Sequence, residues 1–325
     1  MRSRRILLIF LVLIGLVGVV ASSAEARSRG REFPLPTPDS EPAGIAAGPD
    51  GALWFTEGNV NRIGRITPSG AIHEFRIPTY DSGPVDIAAG PDGALWFTEA
   101  TGNKIGRITT SGAITEFSIP TYDGRPAGIA AGPDGNLWFT EVAANKIGRI
   151  TPSGSIREFS VPTSSVPVDI AAGPDGNLWF TEGAAANKIG RITPSGGITE
   201  FAVPTAGVFP WGIVAGPDGN LWFTEVDGNN IGRITPAGTI TEFPVPVYET
   251  IGIAAGPDGN LWFTEPSAGM IGRITPSGAV RELRLPNSGC YPYGITAGPD
   301  GNLWFTEEGI AGNKIGAIRP GELPV

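Results

Sequence analysis

The ten-residue stretch GPDGNLWFTE, residues 298–307, decides the fold, because close variants of it occur seven times in the chain. Its last four residues, Trp-Phe-Thr-Glu, recur unchanged at spacings of 42, 42, 41, 43, 40 and 42 residues. The glutamates that end the seven copies are Glu57, Glu99, Glu141, Glu182, Glu225, Glu265 and Glu307. A regular period of this length indicates a repeat architecture, so the repeating unit must be understood before the whole chain.

Each unit contains four short runs typical of β-strands, separated by turn-forming residues. The runs resemble Gly-Ile-Ala-Ala, Asn-Leu-Trp-Phe-Thr-Glu, Lys-Ile-Gly-Arg-Ile-Thr and Ile-Thr-Glu-Phe, and the turns are Gly-Pro-Asp-Gly and Pro-Ser-Gly. Four antiparallel strands in about 42 residues are the pattern of one propeller blade. Helical repeats are excluded, because Gly and Pro interrupt every unit too often. The sequence therefore predicts an all-β fold, a seven-bladed β-propeller with four antiparallel strands in each blade.

The two ends of the chain together supply one complete blade. Residues 32–36, EFPLP, match the fourth strand of the repeat, whereas the seventh repeat stops after its third strand, at residues 315–318. We therefore expect the N-terminal strand to join the C-terminal blade and close the ring. Such closure removes an exposed sheet edge.

The first 26 residues have the pattern of a secretory signal peptide. Three arginines precede an apolar run over residues 6–20, which is followed by Ala-Glu-Ala at residues 24–26. We expect residues 1–26 to be a cleaved signal and residues 27–325 to form a single propeller domain. The mature protein would then be secreted or periplasmic, without stable insertion in a membrane. A retained anchor is the alternative, although the apolar run is shorter than the roughly 20 residues that span a bilayer.

The composition restricts both partners and chemistry. With a formal net charge of −9, the chain lacks the basic footprint that nucleic-acid binding requires. The one cysteine, Cys290, cannot form an intrachain disulfide, and we interpret it as a buried filler rather than a reactive thiol. The one histidine, His73, falls on a fourth strand, which argues against zinc and against Ser-His-Asp or Cys-His catalysis.

Aromatic residues outside the repeat pattern concentrate on one face. In an up-and-down blade, the connectors between blades and the loops after Trp-Phe-Thr-Glu open on the same side, called here the upper face. The aromatic residues in these connectors and at their joins to the first strands are Tyr80, Tyr122, Trp211, Tyr248, Tyr291 and Tyr293. Loops on a rigid scaffold often carry binding residues, so we predict a ligand site at the upper channel mouth. The alternative is that these rings only cover the blade tops.

Acidic residues gather at the same face. Asp86 and Asp169 replace the glycine of Pro-x-Gly-Ile in two blades, and the seven repeat glutamates end nearby. Such groups would repel one another unless a cation or a basic ligand lay between them. Mg²⁺ or Ca²⁺, bound through oxygen atoms, is the natural candidate. For each repeat glutamate, a structural hydrogen bond to a neighbouring loop is the alternative.

The repeat phrase ITPSGxITEFxIPT…PxGIAAGPDGNLWFTE…NKIGRI resembles that of the streptogramin B (virginiamycin B) lyases, over roughly residues 31–320. The resemblance implies a seven-bladed propeller that opens a cyclic depsipeptide antibiotic at its ester bond by elimination, with Mg²⁺. It also implies a histidine before Gly-Ile in the seventh blade, a metal-binding glutamate further along that blade, and a second one in the sixth blade. This chain has Glu307 at the first metal position, but Tyr293 at the histidine position and Ile251 at the second metal position. Glu249, two residues before Ile251, is a substitute carboxylate.

These replacements predict that the family's lyase activity is impaired. We expect a monomeric propeller that binds a small-molecule or peptide-like ligand, with a divalent cation as a candidate. A phenol with a pKa of about 10 is roughly a thousandfold less available as a base at neutral pH than an imidazole with a pKa of about 6.5. Three alternatives remain open. They are an active Mg²⁺-dependent lyase with Tyr293 as base and Glu307 and Glu249 on the metal, a metal-dependent lactonase, and a non-catalytic extracellular interaction module.

Overall fold

The computed structural model describes residues 30–183, 186–246, 249–286, 289–309 and 312–322, which form seven four-stranded antiparallel sheets. The predicted all-β, seven-bladed β-propeller is confirmed. The predicted signal peptide, residues 1–26, and the connector residue Tyr248 lie outside the described residues. Within those described ranges, no helix is long and apolar enough to cross a membrane.

The strands follow one another around the ring in chain order, with one exception at the N-terminus. Blade one contains β2 (Pro42–Ala47), β3 (Leu53–Glu57), β4 (Arg62–Ile66) and β5 (Ile72–Arg76). Blade two contains β6 (Pro84–Ala89), β7 (Leu95–Glu99), β8 (Lys104–Ile108) and β9 (Ile114–Ser118). Blade three contains β10 (Pro126–Ala131), β11 (Leu137–Glu141), β12 (Lys146–Ile150) and β13 (Ile156–Ser160). Blade four contains β14 (Val166–Ala172), β15 (Leu178–Gly183), β16 (Lys188–Ile192) and β17 (Ile198–Ala202).

The remaining blades continue the same order. Blade five contains β18 (Pro210–Ala215), β19 (Leu221–Glu225), β20 (Asn230–Ile234) and β21 (Ile240–Pro244). Blade six contains β22 (Ile253–Ala255), β23 (Leu261–Glu265), β24 (Met270–Ile274) and β25 (Val280–Arg284). Blade seven contains β26 (Tyr291–Ala297), β27 (Leu303–Glu308), β28 (Lys314–Ile318) and, as its outer strand, β1 (Arg31–Pro34). Short 3-10 turns occur at Pro266–Ala268 and Pro320–Glu322.

The Gly-Pro-Asp-Gly turn holds the lower end of each blade, and blade one shows how. Gly51 adopts a φ of 72°, a left-handed conformation that favours glycine and closes the turn. Asp50 Oδ1 accepts a hydrogen bond of 3.0 Å from the Trp54 indole, and Asp50 Oδ2 accepts one of 2.7 Å from Arg65. The Arg65 guanidinium also lies over the Trp54 ring, 5.8 Å from its centroid. These residue types occur together because the aspartate accepts hydrogen bonds from both the tryptophan and the arginine.

The hydrophobic core lies between successive blades rather than within one. The cluster between blades one and two joins Trp54 and Ile63 of blade one to Ile87, Leu95 and Phe97 of blade two. Equivalent clusters fill the other interfaces. Because each blade buries its apolar surface only against its neighbours, the ring must close to bury all of it.

Ring closure depends on the N-terminal strand, as the sequence predicts. β1 pairs with β28 in an antiparallel register that places Phe33 opposite Ile315. The Phe33 ring stacks on Trp304 with a centroid distance of 5.4 Å, and Leu35 packs in the cluster between blades seven and one. Lys314 Nζ donates a hydrogen bond of 2.9 Å to Glu32. One outer strand thus joins the two ends of the chain.

A ring of threonine hydroxyls links the blades around the central channel. The threonine of each Trp-Phe-Thr-Glu copy donates a hydrogen bond of 2.6 to 2.8 Å to a backbone carbonyl of the next blade. In blade seven, Thr306 Oγ1 donates to Ala43 O of blade one at 2.8 Å and accepts from Gly294 N at 2.9 Å. The hydroxyl therefore satisfies two buried backbone groups and completes the circle.

We expect Thr306→Val to lower the free energy of unfolding by about 1–3 kcal/mol, because it leaves Gly294 N–H and Ala43 C=O without their partner. The measurement is the midpoint of urea unfolding of the full chain. Thr115→Val is the matched control, since Thr115 is exposed on the outer strand β9 and should tolerate the same change. Equal midpoints for the two variants would contradict a closing role for the Thr306 hydroxyl.

Candidate functional site

Seven equivalent residues surround the upper end of the central channel, one at or just before the first strand of each blade. Their carbonyls accept the threonine hydrogen bonds described above, which places their backbones alike around the axis. A register shift follows the first-strand proline in the blades where it pairs, for example between Pro292 and Ile295. The seven residues are Ala43, Val85, Ala127, Val168, Trp211, Ile251 and Tyr293. Large side chains therefore stand together on blades five to seven, and smaller ones on blades one to four.

A channel cavity of about 180 Å³ lies among these residues and includes Asp86 and Asp169 in its lining. Each aspartate bridges two blades. Asp86 accepts hydrogen bonds from Ile87 N at 2.8 Å and from Ile129 N of the next blade at 3.0 Å. Asp169 accepts from Ile170 N at 2.8 Å and from Ile213 N of the next blade at 2.9 Å. Both carboxylates therefore have a structural role at the channel wall, in addition to facing the cavity.

The two aspartates influence one another electrostatically. Burial raises the pKa of Asp86, and burial together with the negative charge of Asp86 raises the pKa of Asp169. Glycines make room for them: a Cβ at Gly44 would lie 2.7 Å from Asp86 Cα, and one at Gly128 would lie 2.8 Å from Asp169 Cα. Gly44, Asp86, Gly128 and Asp169 therefore alternate around the first four blades because each aspartate needs a glycine in the blade before it. The sequence contains this alternation, but only the packing explains it.

A second cavity, about 280 Å³ in volume, lies at the upper mouth of the channel. Tyr293 and Ile251 line both cavities, so they separate the mouth from the channel below. The mouth combines apolar or aromatic walls with carboxylates, and its described lining contains no Lys or Arg. The lining residues are Glu41, Glu249, Ile251, Pro266, Tyr291, Tyr293, Glu308 and Gly309. Of the residues singled out from the sequence for binding or metal ligation, Tyr291, Tyr293 and Glu249 line this cavity, and its role in ligand binding stays a prediction.

The unusual seventh copy builds one wall of the mouth. β26 begins at Tyr291 and β27 extends to Glu308, so these two residues face each other at the end of a longer hairpin than in most other blades. Burial, and then the negative charge of Glu41, raise the pKa of Glu308 to about 7. Near neutral pH, the Glu308 side chain is therefore present in both its neutral and its ionised form.

The other two carboxylates come from connectors with strained backbones. Glu41 and Glu249 have φ values of 47° and 66°, a left-handed conformation that is uncommon for residues other than glycine. Ser267 donates a hydrogen bond to the Glu249 carboxylate. Arg125 and Phe209, which precede the first strands of blades three and five, adopt the same conformation, so it is a feature of the connectors rather than of the mouth.

Tyr293 occupies the position at which the resemblance implies a histidine. Burial, followed by the negative charges of Glu308, Asp86 and Asp169, raises the pKa of its phenol well above the ordinary value, against a hydrogen bond from the Trp211 side chain that lowers it. The phenol is therefore neutral at physiological pH. A neutral phenol can donate a hydrogen bond to a ligand but has little basicity.

Glu307 does not reach the mouth. Successive strand residues point to opposite sides, so Glu307 and Glu308 face different surroundings. Glu307 is fully buried and lies opposite Lys314 in the β27–β28 pair. Burial and the charge of Glu32 raise its pKa to about 7, with Lys314 acting in the opposite direction. Its metal-binding role stays a prediction, whereas Glu308 and Glu41 are mouth residues that sequence reasoning missed.

The remaining candidate residues fall into separate places. Tyr80 and Tyr122 are 87% and 95% exposed and belong to the described lining of neither cavity. His73, the one histidine of the chain, is exposed on β5, an outer strand. Cys290 is buried, and burial raises the pKa of its thiol to about 11, which agrees with a filler rather than a reactive group.

The described residues do not form a ready metal centre. Throughout the part of the chain that the structure describes, no three His, Cys, Asp or Glu side chains come together closely enough to hold a metal ion. Glu41, Glu249 and Glu308 share the mouth cavity but do not converge on one point. The Mg²⁺ that the resemblance implies therefore does not fit a preformed site here, and we assign no chemical step to it.

Comparison with known proteins gives consistent results over the whole fold. The chain matches the model of the virginiamycin B lyase family over residues 22–184 and 163–323. A structure of streptogramin B lyase is 41% identical, covers 91% of this chain and 97% of that one, and has a TM-score of 0.85. A catalytically inactive histidine-to-alanine variant of virginiamycin B lyase from Staphylococcus aureus, with quinupristin, is 42% identical over 89% of this chain and 98% of that one, with a TM-score of 0.84.

Curated relatives match over a much shorter stretch. Virginiamycin B lyase of Bordetella parapertussis is 51% identical over 41 residues, which are 13% of this chain and 14% of that protein. That length corresponds to one repeat, so this match reflects the blade motif rather than the whole ring.

Proposed function

The chain belongs to the virginiamycin B lyase family, and from this premise we propose that it binds a cyclic, peptide-like ligand at its upper mouth without performing the family's elimination through a histidine base. The observation that carries the proposal is the composition of the mouth. Tyr291, Tyr293 and Ile251 supply flat or apolar walls beside Glu41, Glu249 and Glu308, whereas the one histidine of the chain lies on an outer strand. The mouth is equipped for binding, and it lacks an imidazole.

The walls suit a ligand that is partly aromatic and partly polar. The Phe209 and Trp211 rings stack at a centroid distance of 5.6 Å, and Trp211 lines the channel directly below the mouth. Rings of this kind bury a large apolar area at a small loss of side-chain entropy. The neutral Tyr293 phenol could donate a hydrogen bond to a ligand carbonyl, and the carboxylates favour a protonated amine over an anionic group. A depsipeptide with aromatic side chains combines these features.

The relatives support separating binding from catalysis. The S. aureus variant is catalytically inactive once its histidine is replaced by alanine, and yet its structure is of the protein with quinupristin. In that protein, the histidine is needed for the reaction but not for holding the compound. By analogy, Tyr293 in the histidine position is compatible with binding and unfavourable for elimination.

Two further parts of the proposal come from the sequence. The N-terminal pattern supports secretion or a periplasmic location for the mature chain. The acidic mouth supports attraction of a divalent cation through water molecules, because Mg²⁺ commonly keeps several waters and takes only one or two carboxylates.

We expect Tyr291→Ala to weaken binding of a type B streptogramin by roughly thirtyfold, or about 2 kcal/mol, because the mouth loses an aromatic wall that a bound ligand would cover. The measurement is isothermal titration calorimetry with the mature chain, in Mg²⁺ and in EDTA. Tyr80→Ala is the matched control, since Tyr80 is an aromatic upper-face residue outside the described lining of both cavities. Binding that neither variant changes would place the ligand elsewhere, and absence of binding to the unaltered chain would reject the proposal.

One observation favours a second candidate, a lyase of reduced rate that uses a carboxylate. Glu308, with a pKa of about 7, lines the mouth beside Tyr293. A carboxylate with a pKa near neutral can accept the proton α to a carbonyl while the Tyr293 phenol donates a hydrogen bond to the carbonyl oxygen. The activity assay described in the Discussion separates this candidate from pure binding.

A further inference from the structure

The glutamate of each Trp-Phe-Thr-Glu copy lies buried beside a second glutamate. All seven are fully buried. In every blade, burial is the largest effect that raises the pKa of this glutamate, and the negative charge of a glutamate on the outer strand raises it further. Two like charges held together in a protein interior are costly unless one of them is neutralised. The repetition shows that the arrangement belongs to the blade and not to the ligand site.

Blades two and three show the arrangement far from the mouth. Neither carboxyl oxygen of Glu99 or of Glu141 accepts a hydrogen bond from a described residue. The neighbouring side chains that act on Glu99 and Glu141 are the outer-strand carboxylates Glu116 and Glu158, which when ionised have no hydrogen to donate, and the ammonium groups of Lys104 and Lys146, whose charge acts in the opposite direction. An ionised carboxylate would therefore remain buried without a donor, whereas a protonated one could donate to its partner.

The outer-strand partner is the one held in the ionised form. Glu116 Oε1 accepts a hydrogen bond of 3.2 Å from Thr79 N, and Lys104 Nζ lies 3.5 Å from its Oε2. Glu158 has the same contacts, 3.0 Å from Thr121 N and 3.3 Å from Lys146 Nζ. Burial acts to raise the pKa of both groups, but the threonine and lysine contacts hold it below the ordinary value. In blades two and three, the charges facing each buried glutamate are thus one outer-strand glutamate and one third-strand lysine, Lys104 or Lys146.

We propose that Glu99 and Glu141 are protonated at neutral pH and each donate a hydrogen bond to the outer-strand carboxylate, so that these paired glutamates form a pH-sensitive lock within the propeller. Each pair holds one proton between β7 and β9 or between β11 and β13. Removing that proton places two negative charges in the interior and weakens the blade. Alkali therefore loosens the fold, while mild acid does not.

The direction of the pH effect follows from the two pKa shifts. Burial and the neighbouring glutamate raise the pKa of Glu99 and Glu141 from 4.5 to about 8. A raised pKa gives a stabilising contribution that is complete below about pH 4.5 and is lost as the pH rises through about 8. The lowered pKa of Glu116 and Glu158 gives a contribution that is present above about pH 4.5 and is lost in stronger acid. Stability is therefore highest in mild acid.

The test is the melting temperature of the full chain and of Glu99→Gln/Glu141→Gln at about pH 5 and about pH 9. Glutamine keeps an N–H donor for the outer carboxylate and carries no charge. We expect the two proteins to have the same melting temperature at the acidic pH. At the alkaline pH, we expect the melting temperature of the variant to be at least about 4 °C higher than that of the unaltered chain. The proposal would be overturned if the melting temperatures of both proteins fell by the same amount between the acidic and the alkaline pH.

A matched control uses carboxylates of the same blades in a different setting. Asp92→Asn/Asp134→Asn removes two carboxylates whose pKa lies below the ordinary value. Burial acts to raise the pKa of each, but hydrogen bonds from tryptophan and other neighbours lower it by more. This variant should lose stability near neutral pH and should melt no higher than the unaltered chain in alkali. A second readout needs no variant to fold: infrared spectra of the native chain at neutral pH should contain the carbonyl band of protonated carboxylic acids. Its absence would also refute the lock.

Discussion

A chain that begins after Pro36 is expected to lose the closed ring and to unfold at a much lower denaturant concentration than the full propeller. The deletion removes β1, the outer strand of blade seven, and with it the Phe33 ring that stacks on Trp304 and the buried Leu35. Loss of two apolar side chains and of the β1–β28 hydrogen bonds costs about 5 kcal/mol or more. Since whole domains are stable by only about 5–15 kcal/mol, little of the native state would remain.

The measurements are urea unfolding and the elution volume in size-exclusion chromatography, because an opened ring is both less stable and larger. A chain that begins at Gly30 is the matched control, since it keeps the whole of β1 and should behave as the unshortened protein does. If the two shortened chains unfolded at the same urea concentration, closure by β1 would contribute nothing measurable and the packing between blades alone would hold the ring.

The mature chain is expected to open a type B streptogramin about a thousandfold more slowly than the S. aureus lyase. The S. aureus variant that lacks its histidine is catalytically inactive. The resemblance puts the Tyr293 phenol at the position of that histidine, and the two pKa values differ by about 3 units, so the basic form of a phenol is roughly a thousandfold less populated at neutral pH than that of an imidazole. Burial and three nearby carboxylates increase that difference further. The measurement follows ring opening by chromatography and mass spectrometry, in Mg²⁺ and in EDTA. Opening without a change in mass indicates elimination, whereas the gain of a water indicates hydrolysis.

Variants of the mouth then identify the cause of the low rate. Tyr293→His should raise the rate of opening, and Tyr293→Phe, which lacks the hydroxyl but adds no base, should not. If a slow elimination persists in the unaltered chain, Glu308→Gln should abolish it, as the second candidate function requires. Opening at the rate of the S. aureus lyase would refute the expectation, and the same fast rate in Tyr293→Phe would show that the base is elsewhere.

The fold could be predicted from the sequence almost completely, because its signals are local and repeated. Gly51 and its equivalents adopt the turn conformation that Gly-Pro-Asp-Gly indicates, and Trp54 finds its hydrogen-bond acceptor, Asp50, four residues away. The closing role of Phe33 and Leu35 was also predictable, since those residues complete a pattern that the last repeat leaves unfinished. Each of these features depends on residues close in sequence or on the repeat itself.

The site could be predicted only in outline. The sequence indicates an acidic, aromatic upper mouth, and Tyr291, Tyr293 and Glu249 do line one cavity. It does not distinguish them from Tyr80 and Tyr122, which occupy similar connectors and project into solvent. Whether a connector residue turns inward depends on neighbouring connectors, and these belong to different repeats.

Glu307 and Glu308 mark the boundary between what the sequence by itself determined and what only the tertiary structure decided. The repeat determines that a glutamate follows Trp-Phe-Thr in every blade, and hence that seven of them lie at one end of the sheets. Only the packed ring decides that Glu307 is buried against Lys314 and Glu32 while its neighbour Glu308 opens onto the mouth. Strand periodicity separates adjacent residues onto two sides, but which side meets a cavity and which meets another blade depends on contacts between distant parts of the chain.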